Sequence, residues 1–225
     1  MSKLKEIHVD IEEKLSPKKI KEILEQNKEL LKQDTKSFRL YDKILSFDID
    51  NKFSNEFITL AYDCLKSWGM ENRRAKLFDY EEFKQSILNN KSNFSNLQDV
   101  QLKEINNENF GTLFNLFKNL KISQTSAKLV GFSKLVHFYL PNLISPIDRK
   151  YTLAFFYPGN SPYFPSGKEE NQFIVFKNIH EIYKKFSLQN DFEQYVSSTG
   201  WNRNIPKIID NLILGYSLID NCRRT

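Results

Sequence analysis

Five side chains able to do acid–base, nucleophilic or electrostatic chemistry fall within one bend of the chain, Ser126 to Phe156, read as SAKLVGFSKLVHFYLPNLISPIDRKYTLAFF. They are Lys128, Lys134, His137, Asp148 and Arg149. A carboxylate held at a fixed place can stabilise developing positive charge or activate water. A lysine in apolar surroundings loses solvation of its ammonium, which lowers its pKa and makes the amine nucleophilic. Lys128 stands near the positive end of its helix, which pushes in the same direction. Both lysines can instead reach solvent along their aliphatic stems. Asp148 follows Pro146-Ile147, where a carboxylate caps a helix start by accepting its first amides. Capping and electrostatic work are compatible, because a cap can face a cleft.

These residues need a helix, a turn and a second helix to position them. Leu129, Val130, Phe132, Leu135, Val136 and Tyr139 make the first helix apolar over most of its circumference, so it is expected to be buried. His137 follows Lys134 at i+3 and shares its face. Pro141 ends that helix and Pro146 constrains the turn. Asp148 is then the N-cap of a helix through Phe156.

The rest of the chain reads mostly as helix. Ser16-Pro17 opens one that carries Ile20, Ile23, Leu24, Leu30 and Leu31. Ser54 caps another, with Phe57, Leu60, Ala61, Cys64, Leu65 and Trp68 on its stripe and Gly69 at its end. Asp79 with Glu82 forms a capping box for a helix through Leu88. The polar run 89–96, NNKSNFSN, reads as a loop and as the boundary between an N-terminal helical cap, 1–96, and a helical core, 97–225. Short helices near 97–105 and 109–120 follow, then helices near 170–186 and over Ile208 to Tyr216. Alternation in residues 5–11, with Phe47 and Ile49, allows at most a minor N-terminal strand or hairpin. The expected fold is mainly α, a multi-helix globular fold. Only 7 Gly and 7 Pro in 225 residues agree with that.

The net charge of +5 is unevenly spread. Residues 121–225 hold 13 basic and 8 acidic side chains, while residues 1–120 balance at 20 and 20. Excess positive charge beside the central bend favours a polyanionic partner such as nucleic acid, or is a solvated surface. Arg73, Arg74, Arg149 and Lys150 are the phosphate-contact candidates, since guanidinium matches phosphate geometry, and Arg73 and Arg74 can instead bond the carbonyls at the end of the Trp68 helix. Lys134 joins them as a nucleic-acid-binding candidate. Tyr163 and Phe164, in the loop YPGNSPYFPSG, are candidates for stacking on a base, or are surface-loop aromatics that pack back on the core. No run of 18 apolar residues marks a membrane helix. Cys64 and Cys222, far apart, fit a reducing cytoplasm rather than a disulfide framework or a zinc site. No Walker loop, GxGxxG, CxxC, HExxH or GxSxG element is present, so no cofactor or metal is expected.

Three short motifs, Trp68-Gly69-Met70, Ser133-Lys134-Leu135-Val136-His137-Phe138 and Pro146-Ile147-Asp148-Arg149-Lys150-Tyr151, resemble those of a group of uncharacterised prokaryotic proteins with WGM, SKxLHF and PxDRxY segments. That group transfers no activity. More distantly, Pro146-Ile147-Asp148 resembles the catalytic turn of helix-hairpin-helix DNA glycosylases, and Lys128 lies 20 residues earlier, close to that family's separation. The resemblance implies a glycosylase-like helical fold and a base-excision reaction, with Asp148 catalytic and Lys128 a conditional nucleophile. The family's hairpin glycines are missing from residues 119–124, NLKISQ. Two alternatives therefore stay open: a non-catalytic binding module on the same scaffold, and a pocket for a small molecule.

Overall fold

The computed structural model describes residues 7, 9–33, 35–71, 76–125, 128–158 and 169–223, with side chains to 219. The fold is mainly α. In chain order the helices are α1 (Ile11–Lys14), α2 (Pro17–Leu30), α3 (Lys36–Leu45), α4 (Asn55–Leu65), α5 (Tyr80–Leu88), α6 (Lys91–Ser95), α7 (Asn107–Asn119), α8 (Lys128–Tyr139), α9 (Ala154–Phe156), α10 (Glu169–Gln189) and α11 (Ile205–Arg223). Among the described residues there is no strand, only an isolated bridge between Leu77 and Ser123.

Local chemistry accounts for most helix starts. Ser54 accepts the Phe57 amide at 3.2 Å and Asp79 accepts that of Glu82 at 3.0 Å. Thr35 does the same for Phe38 and starts α3 as a full helix. Ser16 occupies the N-cap of α2 without a side-chain bond, and Pro17 supplies the preset first turn. Of the minor strand expected near the N-terminus, residues 1–6 and 8 lie outside the described residues. Ile11 opens a helix capped by Asp10, and Ile49–Asn51 is a 3-10 turn.

Two expectations are corrected. Residues 91–95 are helical: Phe94 is buried against the core despite the polar composition of the run, and Asn90 Nδ2 donates to the Ser86 carbonyl. The segment 97–105 holds only the 3-10 turn Leu102–Glu104. Buried residues on both sides of position 96 join one hydrophobic cluster running from Ile11 to Ile213.

Helix α8 is the axis of that cluster. Every residue from Gly131 to Tyr139 is buried. It packs against α3, α4 and α10, and α11 closes the core against α2. The α2–α11 contact is close: a Cβ on Gly215 would lie 2.6 Å from Ile23 Cγ2 and nearer still to Asn27 Oδ1. Asn27 cannot yield easily, since its Nδ2 donates to the buried Asn211 carbonyl at 2.9 Å. Gly215→Ala gains about 1 kcal/mol of helix propensity but overpacks by about 1–3 kcal/mol. The expected outcome is a lowered Tm in thermal unfolding. A raised Tm would mean that α2 moves aside freely.

A candidate active site between the central helix and the closing helix

The site begins with a polar pair on an otherwise apolar helix. Ser133 and Lys134 are both buried in α8. The Ser133 hydroxyl donates to the Val130 carbonyl at 3.0 Å and accepts the Ile147 amide at 2.9 Å. That second bond pins the Pro146-Ile147 turn to α8 and so fixes where the next residue, Asp148, emerges. Asp148 Oδ2 stands 3.6 Å from Lys134 Nζ. Asp148 Oδ1 accepts the Lys150 amide at 2.7 Å, and its own amide donates to Thr152 Oγ1 at 3.2 Å. Asp148 is thus a cap and a cavity-facing carboxylate at once, with 38% of its side chain exposed. It opens a π-helical turn, Arg149–Leu153, that runs directly into α9.

Two histidines also bond the turn, and the Ser145 hydroxyl donates to the Pro206 carbonyl at 2.9 Å. His137 Nδ1 bonds the Ile144 carbonyl at 2.6 Å while its Nε2 pairs with the Tyr41 hydroxyl at 2.8 Å. This assigns a neutral ring donating through Nδ1 and accepting through Nε2. His180 Nε2 accepts the Ser145 amide at 3.1 Å, and its Nδ1 bonds the Phe176 carbonyl at 2.9 Å. Burial holds His137 down to about 3 and His180 to about 4. Both nitrogens of each ring are engaged within the protein. Both rings hold the turn that carries Asp148.

Lys134 is held from a second side. Helix α4 runs into a π-helical turn, Lys66–Met70, in which Gly69 adopts φ 85°. That left-handed residue suits glycine and ends the helical path. The Trp68 carbonyl just before it accepts from Lys134 Nζ at 2.9 Å. With 8% of its side chain exposed, the Lys134 amine is buried. Burial pushes its pKa down, and Asp148 and Asp210 oppose the fall.

Helix α11 supplies the facing wall. Lys207, Asp210, Asn211 and Leu214 lie at i, i+3, i+4 and i+7, which places them on one face. Lys207 and Asp210 are a close ion pair, 7% and 15% exposed. The Lys207 ammonium lies 5.6 Å from the ring centre of Trp68 and 5.2 Å from that of Trp201, in reach of both π-faces. Burial raises the Asp210 pKa even though Lys207 works against it. Trp201 is stacked in turn on Tyr41, ring centres 5.7 Å apart.

Between these walls is a cavity of about 490 Å³, lined by Trp68, Trp201, Tyr151, Pro146, Leu31 and Leu214 together with the two lysine–aspartate pairs. Buried charges cost solvation, and a hydrophobic replacement often stabilises a fold. Two buried lysines and the largely buried Asp210, with the half-exposed Asp148, border one aromatic cavity, which makes it the candidate site.

The sequence-named residues divide. Asp148 and Lys134 come together at the cavity. Lys134 faces inward, toward Trp68 and Asp148, and not outward to a surface phosphate. Lys128 does not line the cavity: it pairs with Glu169 at 2.8 Å and donates to the Lys118 carbonyl at 3.1 Å. Arg149 and Lys150 are exposed beside Asp148. Arg73, Arg74, Tyr163 and Phe164 lie outside the described residues. Sequence reasoning missed Lys207, Asp210, Asn211 and Trp201. The signal was there in part, since Lys207, Asp210 and Asn211 are polar interruptions of an otherwise apolar closing helix.

The connection 120–125 does not resemble a phosphate-binding hairpin. Gln124 donates its amide to the Lys76 carbonyl, Lys121 donates to Ser86 Oγ, and Thr125 donates to Ser123 Oγ. Those backbone donors are engaged within the protein. Among the described residues no three His, Cys, Asp or Glu side chains gather as a metal site, and no helix is long and apolar enough to cross a membrane. Comparison with protein-family models, curated proteins and solved structures finds no match.

Proposed function

We propose that the protein is nucleic-acid-associated and that its cavity receives an extruded base whose N-glycosidic bond is hydrolysed with Asp148 as the catalytic carboxylate. The observation that carries this reading is the double placement of Asp148, fixed as a cap and facing an aromatic cavity of base-holding size. Extruding a base from a duplex costs a few kcal/mol, which stacking against Trp68, Trp201 or Tyr151 offsets. In the reaction the C1′–N bond breaks and its electron pair leaves with the base. Asp148 stabilises the positive charge developing on the sugar and takes the proton of the incoming water. The water oxygen forms the new bond at C1′. Arg149 and Lys150, exposed next to Asp148, supply phosphate contacts.

The test is a panel of duplexes and single strands carrying damaged or mismatched bases, assayed for abasic product, with affinity measured across a salt series. Abasic product and affinity falling steeply with salt are expected. Salt-sensitive binding without product leaves a non-catalytic binding module. Absence of binding at low salt overturns both.

One observation favours a second reading, a pocket for a small planar ligand. The backbone donors at 121, 124 and 125 are engaged within the protein. Duplex anchoring in the manner of helix-hairpin-helix proteins thus has no support at that connection, whereas the cavity is complete without it.

A further inference from the structure

The cavity holds an amine as well as a carboxylate, and the amine has the surroundings of a nucleophile. We propose that Lys134 is a Schiff-base-forming lysine, and that the cavity accepts a carbonyl compound, an aldehyde or ketone, which condenses with its Nζ. This goes beyond the base-excision reading and rests on the cavity alone.

Three observations converge on Nζ. Lys134 is buried on α8 yet lines the cavity, so the amine meets a ligand there without crossing bulk water. Its hold is light for a buried cation: one carbonyl at 2.9 Å and a carboxylate at 3.6 Å, too long for a hydrogen bond. Finally, a second ammonium, Lys207, borders the same cavity; its effect against a proton on Lys134 is smaller than that of burial and than the opposing effect of the two aspartates. Desolvation beside another cation is a recognised way of activating a lysine amine. Lys207 itself is tied to Asp210 and the two indoles, so the pair is unequal: one lysine is locked and the other is available.

The charged and titratable groups around Nζ come from every neighbouring element: Asp148 from the turn, Asp210 and Lys207 from α11, and Cys64 from α4. Burial pushes the Cys64 thiol up to about 12, so it remains neutral. Burial first, then Lys207, lowers the Lys134 pKa; Asp148 and Asp210 raise it, and the balance is downward.

The step balances without a further reactant. The neutral amine donates its lone pair to the carbonyl carbon, a C–N bond forms, and the oxygen becomes the hydroxyl of a carbinolamine. The C–O bond then breaks, the oxygen leaves as water carrying both hydrogens of the original amine, and the neutral imine remains. Asp148, 3.6 Å away, is placed to pass the proton between nitrogen and oxygen.

The experiment uses the full chain with glyceraldehyde and, separately, pyridine-4-carboxaldehyde, each at limiting concentration with borohydride as the hydride source. Adducts are mapped by mass spectrometry at pH 7 and pH 9. The expected result at pH 7 is one dominant adduct on Lys134, at least tenfold over any exposed lysine, with the preference shrinking at pH 9 as surface amines deprotonate. Lys134→Arg should lose that adduct. Lys118→Arg, at an exposed position outside the cavity, should retain it, and circular dichroism establishes whether Lys134→Arg is folded. Labelling distributed over exposed lysines, or a silent Lys134 in folded wild-type protein, overturns the proposal. Neither outcome bears on abasic-site production, which is read in a separate assay.

Discussion

Asp148→Asn is expected to abolish abasic product, by about 10² to 10⁴-fold, while leaving the fold in place. The two halves separate because the proposed chemistry and the observed cap use different oxygens of Asp148. Asparagine is as good an N-cap as aspartate. Its carbonyl oxygen can accept the Lys150 amide that now binds Oδ1 at 2.7 Å, so the turn into α9 should form as before. The other oxygen, 3.6 Å from Lys134, would become an amide nitrogen without charge. It could neither stabilise a cationic sugar nor accept a proton from water, and losses of this size are typical when a general base or an electrostatic stabiliser is removed. Circular dichroism and thermal unfolding report the first half, and the lesion assay reports the second. An Asn variant as active as wild type would reduce Asp148 to a cap. An unfolded Asn variant would show instead that the charge facing Lys134 supports the fold.

Acid should destabilise the protein well above the pH at which ordinary carboxylates titrate. His137 is held at about 3 and His180 at about 4, both lowered chiefly by burial. Unfolded histidine titrates near 6.5. A group whose folded pKa is depressed binds protons first in the unfolded chain, so its stabilisation is complete above about pH 6.5. It is lost progressively as pH falls toward the folded values. Each ring contributes about 1.4 kcal/mol per pH unit inside that window. The structural reason is that both acceptor nitrogens are in use. Protonating His137 Nε2 removes the acceptor for Tyr41, and protonating His180 Nε2 sets two N–H groups against each other at Ser145. Asp210, whose pKa burial raises, works in the opposite sense and offsets part of the loss. Denaturant titrations at pH 7.5, 6.0 and 5.0 should show stability falling by roughly 2 kcal/mol or more, with net proton uptake on unfolding. Flat stability over that range would mean that the rings are reached by solvent. Because these histidines hold the turn, partial loss of site geometry should precede global unfolding.

The helical architecture was legible because its causes are local. Ser54, Asp79 and the apolar spacing of α4, α8 and α11 name their helices through caps and periodicity, which act over a few residues. The failures had the same origin. The run 89–96 is polar in composition, yet one phenylalanine in it reaches the core, and burial decided the helix. At the site, Asp148 and Lys134 could be picked out because proline punctuation and an unusually apolar helix surround them.

Their partners could not. Lys207 and Asp210 lie 73 and 62 positions beyond Lys134 and Asp148, with no local signal linking them. Only the packing of α11 against α2 and the Arg149–Leu153 turn, with the turn at Gly69, brings two lysines, two aspartates and two tryptophans to one cavity. The same packing sent Lys128 to Glu169 and made Lys134 the cavity amine. The sequence by itself determined helices, caps and the placing of Asp148 at a turn, because those follow from hydrogen bonds and spacing within a few residues. Which charged groups meet, and how far each is stripped of water, depends on contacts between distant segments, and only the tertiary structure decided that.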